Sequence, residues 1–186
     1  MGRIKVHEFT TLDGVIGAPL WTLDYGFTDQ LGAEIGGLMS SCTAILLGRT
    51  TFQEFAPAWS GRTAEDDPGA PFFNESPKYV VSGTLETADW NNSTIIGRYD
   101  ADTIRGLKAR VDGDLYVSGS GTLVRALLAD GLLDELHLFV YPLAVGEGPR
   151  LFPANGPRRA LSLAGCTGLD NGVVHLTYAP EAPVTG

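Results

Sequence analysis

One stretch organises this chain: residues 114–128, which read DLYVSGSGTLVRALL. Its apolar start, Leu115 to Val117, favours a buried strand. Gly119 and Gly121 then predict a tight turn, because glycine adopts positive φ and lets another group approach the backbone closely. The leucines that follow at helical spacing predict an amphipathic helix. A helix that begins in such a turn presents unpaired N–H groups that suit a phosphate, although a plain strand-to-helix turn is the alternative.

Composition and charge narrow the class of protein. The chain has 186 residues, of which 44% are hydrophobic and 19% charged, and its formal net charge is −9. This length suits one domain, and an acidic surface repels nucleic acid and anionic membranes. The start of the chain has no apolar signal-peptide core, and Cys42 and Cys166 form no metal or redox pair. We therefore expect a cytoplasmic protein without nucleic-acid or membrane partners, with one domain over residues 2–179 and a tail over 180–186.

Strand and helix patterns alternate along most of the chain, which indicates an α/β fold with a mostly parallel sheet. An Asn-Gly turn at 171–172 predicts a closing hairpin, so the sheet is expected to finish antiparallel. Residues 56–76 are rich in Pro, Gly and charge and predict a surface loop. The predicted strands are 3–10, 43–47, 78–82, 93–96, 115–117, 133–141, 160–164 and 172–178, and the main predicted helices are 28–41, 49–57, 101–111 and 122–130.

Small residues and arginines follow four successive predicted strands. The strand ends are Gly48-Arg49, Ser82-Gly83, Gly97-Arg98 and Gly119-Ser120-Gly121. In a mostly parallel sheet these ends share one edge, which is where ligands bind. Guanidinium groups and helix N-termini both bind phosphate oxygens. The convergence predicts a nucleotide phosphate site, with an exposed arginine near a helix cap as the alternative interpretation of Arg49.

The loop before the first helix is unusually apolar. It begins with the turn Asp13-Gly14 and carries Val15, Ile16, Leu20, Trp21, Leu23, Tyr25 and Phe27. Such a loop is expected to cover a ligand, or else to fold onto the core with nothing beneath it. Asp29 and Glu34 on the following helix are candidates to face a ligand, with a solvated helix carboxylate as the alternative for each. The three histidines show no metal-ligand spacing and are expected to be ordinary strand residues.

Six short motifs, in this order and spacing, resemble the dihydrofolate reductase-like family in its RibD C-terminal domain branch. The resemblance covers about residues 3–178. It implies a three-layer fold that binds NADPH, a mixed and mostly parallel sheet between flanking helices. The motifs are TLDG at 11–14, LGRTTF at 47–52, VVSGTL at 80–85, VSGSGTL at 117–123, GLLDEL at 131–136 and PLAVGEG at 142–148.

The resemblance also implies how the cofactor is held. The loop of Asp13, Gly14, Val15 and Ile16 closes over the nicotinamide. The chain departs from the family at Gly83, where members often carry arginine, so Arg49 and Arg98 are the candidates for the 2′-phosphate. The remaining cofactor-binding candidates are Gly48, Thr50 and Thr51 at the phosphates, Ser82, Gly83 and Thr84 on the adenosine side, Gly97 at the end of the following strand, and Ser118, Gly119, Ser120, Gly121, Thr122 and Leu123 under the pyrophosphate and nicotinamide ribose.

The activity implied by the resemblance is NADPH-dependent reduction of a pyrimidine- or pterin-like heterocycle by hydride transfer. It is similar to the 5-amino-6-(5-phosphoribosylamino)uracil reductase of riboflavin biosynthesis. Trp21, Tyr25 and Phe27 are candidates to wall the substrate pocket, and Asp13 or Asp29 to bond or protonate the substrate. Dihydrofolate reductase and a non-catalytic nucleotide-binding module are the alternatives.

A homodimer is also expected from the resemblance. Strand 133–141, the final hairpin and the excursion 143–152 are predicted to pair two subunits, because the C-terminal strands carry apolar residues on both faces. The zinc deaminase half of bifunctional riboflavin enzymes is absent from this sequence, which has no His-x-Glu with Pro-Cys-x-x-Cys.

Overall fold

The computed structural model describes residues 2–17 and 19–181, and these form one sheet with helices on both faces. The sheet has eight strands in the order β4-β3-β2-β5-β1-β6-β8-β7. The strands are β1 Ile4–Thr11, β2 Cys42–Gly48, β3 Lys78–Val81, β4 Ser93–Ile95, β5 Asp114–Ser118, β6 Glu135–Tyr141, β7 Leu161–Gly168 and β8 Val174–Pro180. The helices are α1 Asp29–Met39, α2 Arg49–Trp59, α3 Ala70–Glu75, α4 Ala101–Arg110 and α5 Gly121–Ala129, with a 3₁₀ helix at Pro19–Tyr25.

The strands from β4 to β6 in this order run parallel, whereas β8 pairs antiparallel with both β6 and β7. The predicted mixed sheet with antiparallel C-terminal strands is therefore confirmed. Gly172 has a φ of 83° in the turn between β7 and β8, as the Asn-Gly pair predicts. None of the described helices is both long enough and apolar enough to span a membrane.

Three apolar clusters hold the layers together, and two of them pack on opposite faces of β5. Leu115 and Val117 of β5 pack with α4 and α5, while Tyr116 faces Phe52 of α2 and Phe73 of α3. Successive strand residues point to opposite faces, so a strand covered on both faces has a continuous apolar sequence. This explains why the opening stretch is both apolar and central.

The predicted loop at 56–76 contains more helix than expected. Helix α2 continues through Pro57 to Trp59, and α3 occupies Ala70–Glu75. Proline is tolerated in the first turn of a helix, where Pro71 lies, because the N–H it lacks has no partner there. Phe73 anchors α3 by stacking on Trp59 with ring centroids 4.2 Å apart. Composition alone predicts a loop, and this tertiary contact selects a helix.

The C-terminal strands differ in their exposure. β6 lies inside the sheet between β1 and β8, and its Phe139 and Tyr141 are buried on one face. On the other face Leu136 is buried, whereas Leu138 and Val140 are half-buried. The outer strand is β7, which extends to Gly168 and leaves Leu163 57% exposed. The predicted tail begins at the last residue of β8, and residues 182–186 lie outside the described part of the chain.

Shortening a buried side chain of the central strand β5 should destabilise the whole domain. Leu115 is fully buried in β5, so Leu115→Ala removes apolar contacts and leaves a cavity. We expect a loss of about 2–5 kcal/mol in unfolding free energy, measured by urea denaturation. Leu23→Ala is the matched control, because Leu23 is 76% exposed and its truncation should cost less than about 1 kcal/mol. Equal losses in the two variants would contradict this description of the core.

Candidate functional site

A cavity of about 640 Å³ opens at the carboxyl edge of the sheet, where β1 and β5 part. The two strands are paired from Ile4 and Leu115 as far as His7 and Ser118. Beyond that point β5 ends, while β1 continues to Thr11 paired only with β6. The open edge of β1 therefore forms one wall of a slot. The start of α2 and the turn at 118–123 form the wall across from it.

The starts of α2 and α5 meet at Ser120. Its hydroxyl oxygen accepts a hydrogen bond from the Gly48 N–H at 3.1 Å and lies 2.6 Å from Thr51 Oγ1. Ser120 has a φ of 64°, and a Cβ added at Gly48 would lie 2.6 Å from the Ser120 oxygen. Neither helix start has a side-chain cap, so N–H groups of both first turns remain available to an anion.

Two arginines extend this site along the sheet edge. Arg49 donates from Nη1 to Thr84 Oγ1 at 2.7 Å and from Nε to Gln53 Oε1 at 3.2 Å, and it remains exposed. Arg98 packs over Gly83, where an added Cβ would lie 2.3 Å from Arg98 Cγ. Arg49, Thr84 and Arg98 thus form a basic rim, of which Arg49 alone lines the cavity.

Several predicted cofactor residues lie together at the cavity and others lie beside it. Ser82 is buried, and its hydroxyl accepts hydrogen bonds from the backbone of Thr84 and Leu85, which ties it into the turn after β3. The predicted residues that line the cavity are Ile16, Gly48, Arg49, Thr50, Thr51, Ser118, Gly119, Ser120, Gly121, Thr122 and Leu123. Those that do not are Gly14, Val15, Ser82, Gly83, Thr84, Gly97 and Arg98.

Asp13 is an anchor for the excursion after β6. Its carboxylate accepts hydrogen bonds from Thr11 Oγ1 at 2.5 Å and from the backbone of Gly146 at 2.8 Å and Val145 at 3.2 Å, and it pairs with Arg150. The Thr11 and backbone hydrogen bonds lower the pKa of Asp13 to about 2. Asp13 does not line the cavity and is ionised at neutral pH, so the structure does not place it as a proton donor.

The aromatic side chains of the apolar loop lie away from the cavity. Trp21 and Tyr25 pack edge-on against Tyr141, with ring centroids 5.1 and 5.5 Å apart. Phe27 is 70% exposed beside Gly32, and Asp29 is exposed in the first turn of α1. The structure does not bring these four residues to the cavity, and their role at a substrate remains a prediction.

Glu8 is a cavity residue that the sequence reasoning missed. It is 3% exposed, and its buried Oε1 has no hydrogen-bond partner among the described residues. Burial raises the pKa of Glu8 to about 8, against a smaller opposing attraction from Arg125. The available signal was the β1 pattern, because Glu8 continues the inward face of Ile4 and Val6.

His7 lines the same cavity from the other face of β1. Its Nδ1 lies 2.7 Å from the Tyr116 hydroxyl, and its buried Nε2 has no partner among the described residues. Burial lowers the pKa of His7 to about 3, so the ring is neutral at pH 7. The slot therefore holds two buried groups, His7 and Glu8, that titrate far from their ordinary range.

The other two histidines form a separate polar chain beneath α1. His137 Nδ1 lies 2.9 Å from His175 Nε2, and His175 Nδ1 lies 2.7 Å from Glu34 Oε2. Both rings are buried and hydrogen-bonded, as expected of ordinary strand histidines. No cluster suited to a metal ion occurs among the residues that the structure describes.

The chain was compared with known protein families, and residues 3–175 match the model of the RibD C-terminal domain. The chain belongs to the RibD C-terminal domain family. This match confirms the resemblance drawn from the six motifs.

Individual proteins are similar to this chain over nearly its whole length. The Bacillus subtilis (strain 168) protein YyaP is 28% identical over 186 residues, which cover 95% of this chain and 94% of YyaP. The crystal structure of a "Putative riboflavin biosynthesis protein" from Shewanella sp. PV-4 superposes with a TM-score of 0.79 at 20% identity, covering 98% of this chain and 100% of its own. Dihydrofolate reductase from Enterococcus faecalis, solved with NADP(H), has a TM-score of 0.60 at 15% identity and covers 97% and 98%. The dihydrofolate reductase-like fold is thereby confirmed.

The buried carboxyl predicts a specific pH dependence of stability. The folded chain holds the Glu8 proton up to a pKa of about 8, whereas the unfolded chain releases it near the ordinary glutamate pKa of 4.5. Stability contributed by this proton is therefore complete below pH 4.5 and is lost as the pH rises towards 8. Glu8→Gln cannot ionise, so its unfolding free energy should rise relative to that of the wild type by roughly 1 kcal/mol per pH unit across this window.

Chemical denaturation at pH 5, 6.5 and 8 measures this difference. Glu86→Gln is the matched control, because Glu86 is exposed and its loss should leave the pH profile of the wild type unchanged. A constant difference between Glu8→Gln and the wild type at all three values would show that Glu8 titrates normally.

Proposed function

We propose that this chain is an NADPH-dependent reductase that transfers a hydride to a pyrimidine- or pterin-like heterocycle. The observation that carries the proposal is the slot at the end of β5, with two uncapped helix starts and the Arg49–Arg98 rim beside it. Family membership and the likeness to a dihydrofolate reductase solved with NADP(H) support the same cofactor.

The residues present fit a dinucleotide. The first-turn N–H groups of α2 and α5 would hold its phosphates. The two helix starts lie close together because Gly48 approaches Ser120, and Gly48 has no side chain to cover the backbone there. The open edge of β1 would bind the nicotinamide end. When bound, the cofactor supplies the hydride. The chain orients the reacting rings against β1 and excludes water through the buried walls of the slot.

Titration with NADPH tests the proposal most directly. We expect nicotinamide fluorescence to change on binding, and absorbance at 340 nm to fall when a pyrimidine or pterin substrate is added. The alternative of a non-catalytic nucleotide-binding module would give binding without oxidation across the panel. No binding at high micromolar NADPH would end the cofactor proposal itself. Dihydrofolate belongs in the panel, although the exposed Asp29 does not line the cavity as that reaction would require.

Arg49 should be the principal anchor for the cofactor phosphates. A charge-assisted contact contributes roughly 1.5–3 kcal/mol, so Arg49→Ala should weaken NADPH binding about ten- to a hundredfold. The melting temperature without cofactor should change little, because both side-chain contacts of Arg49 are exposed. Arg110→Ala is the control, since Arg110 lies at the far end of α4 and should not affect the dissociation constant. An unchanged affinity in Arg49→Ala would remove Arg49 from the site.

Arg98 should set the preference for NADPH over NADH. Its side chain occupies the space above Gly83, so its guanidinium can replace the arginine that family members often carry at that position. We expect Arg98→Ala to weaken NADPH binding about tenfold and to leave NADH affinity nearly unchanged. Dissociation constants for both cofactors measure the ratio. An equal loss for the two cofactors would argue against contact with the 2′-phosphate.

The proposed reductase is expected to be a homodimer. The outer strand β7 exposes Leu163, and the excursion after β6 exposes Val145 and Phe152, which are 38% and 44% accessible. These surfaces coincide with the predicted pairing region. Light scattering at micromolar concentration should give twice the mass of one chain, and a monomer would contradict the proposal.

A further inference from the structure

Hydride transfer to a C=N bond leaves an electron pair on nitrogen, and a proton must complete the reduction. Asp13 is ionised and bound by the excursion, and Asp29 lies outside the cavity. The two acids proposed from the sequence are therefore unsuited by position. The proton must come from another group of the slot or from water.

The cavity offers few groups that can release a proton. The titratable or charged side chains that line it are His7, Glu8, Arg49, Glu54, Tyr99 and Arg125. Arginine stays protonated, and the Tyr99 hydroxyl donates to Asp130 Oδ2 at 2.8 Å. Burial disfavours the imidazolium form of His7. Glu54 lies in α2, and its side chain is exposed to water.

Glu8 differs from all of these. It lies in β1 one residue beyond the last pair with β5, where the slot opens. Its side chain is almost fully buried, yet no hydrogen-bond donor among the described residues reaches the buried Oε1. An ionised carboxylate in this position would lack the solvation that it needs. A protonated carboxyl is tolerated, and its O–H is free to bond a ligand.

We propose that Glu8 is the proton donor of this site and acts on the nitrogen of a C=N bond of the bound substrate, in its heterocycle or in the group attached to that ring. The inference rests on the proposed reductase function. The carbon of that bond gains the hydride and the nitrogen gains the proton from the Glu8 carboxyl. The C=N bond becomes a C–N single bond, and the cofactor is oxidised by two electrons. The Glu8 carboxylate then recovers a proton from water.

Arg125 stabilises the carboxylate that the transfer leaves. It is the charged group that most opposes the raised pKa of Glu8. Its guanidinium is held by Arg150 O at 3.2 Å and Thr122 Oγ1 at 3.1 Å, so it remains beside the cavity without forming an ion pair with Glu8. Burial keeps the acid protonated before the reaction, and the nearby guanidinium lowers the cost of its ionisation during it.

The test compares wild type, Glu8→Gln, Glu8→Asp and the exposed control Glu86→Gln. Each protein is titrated with NADPH and then assayed at 340 nm with dihydrofolate and with 5-amino-6-(5-phosphoribosylamino)uracil as probes. We expect Glu8→Gln to lower kcat at least a hundredfold while the NADPH dissociation constant stays within twofold. Glu8→Asp should retain part of the activity, and Glu86→Gln should retain all of it.

The pH profile supplies a readout that a structural role would not change. Wild-type kcat should fall about tenfold per pH unit above pH 8, and this decline should be missing from the residual activity of Glu8→Gln. A kcat in Glu8→Gln within threefold of the wild type would overturn the assignment. Failure of the wild type to bind NADPH would instead overturn the proposed function, and the inference with it.

The wild type could bind NADPH but oxidise it with neither probe. In that case titration of the Glu8 carboxyl decides whether Glu8 is the proton donor. Carbon-13 NMR of glutamate-labelled protein, with the Glu8 signal assigned from Glu8→Gln, reports the ionisation of Glu8 in the NADPH complex. A midpoint above pH 7 supports the donor, because the proton is then present at working pH. A midpoint below pH 6 overturns it, because an ionised carboxylate has no proton to deliver.

Discussion

The hydroxyl of Ser120 holds the starts of α2 and α5 together, and the geometry of the cavity depends on that contact. Two helices enter from opposite faces of the sheet, and each brings a set of unpaired N–H groups to the same edge. The approach is possible because Gly48 has no side chain and Ser120 adopts positive φ. A bulkier residue at Gly48 would separate the helix starts and divide the positive potential that they share.

The slot depends on a second constraint, the unequal lengths of neighbouring strands. β1 extends past the end of β5 and keeps its pairing with β6, so its other edge remains open to a flat ligand. The buried titratable groups His7 and Glu8 lie where this pairing stops, on opposite faces of β1. Their desolvation is a cost in stability at neutral pH that ordinary packing elsewhere in the three apolar clusters offsets.

The parts of the site that were predictable from sequence are those that depend on local backbone chemistry. Glycine and arginine at strand ends indicate helix starts that face an anion, and Gly48, Arg49 and the 118–123 turn do meet at one cavity. The apolar loop was a weaker guide. Trp21 and Tyr25 pack on Tyr141. Any apolar partner stabilises a buried aromatic side chain, and the sequence does not specify which partner it contacts.

The sequence by itself determined the succession of strands and main helices along the chain, the mixed sheet and the family, since these follow from periodicity, turn residues and spaced motifs. Tertiary structure alone decided which polar groups lose water. Glu8 is an ordinary acid in the sequence and becomes a buried neutral one because β1, α5 and the slot enclose it. Asp13 is a turn residue in the sequence, and Gly146 and Arg150, more than a hundred positions away, make it an ionised anchor. Solvation and long-range pairing are properties of the folded chain, so no local pattern encodes them.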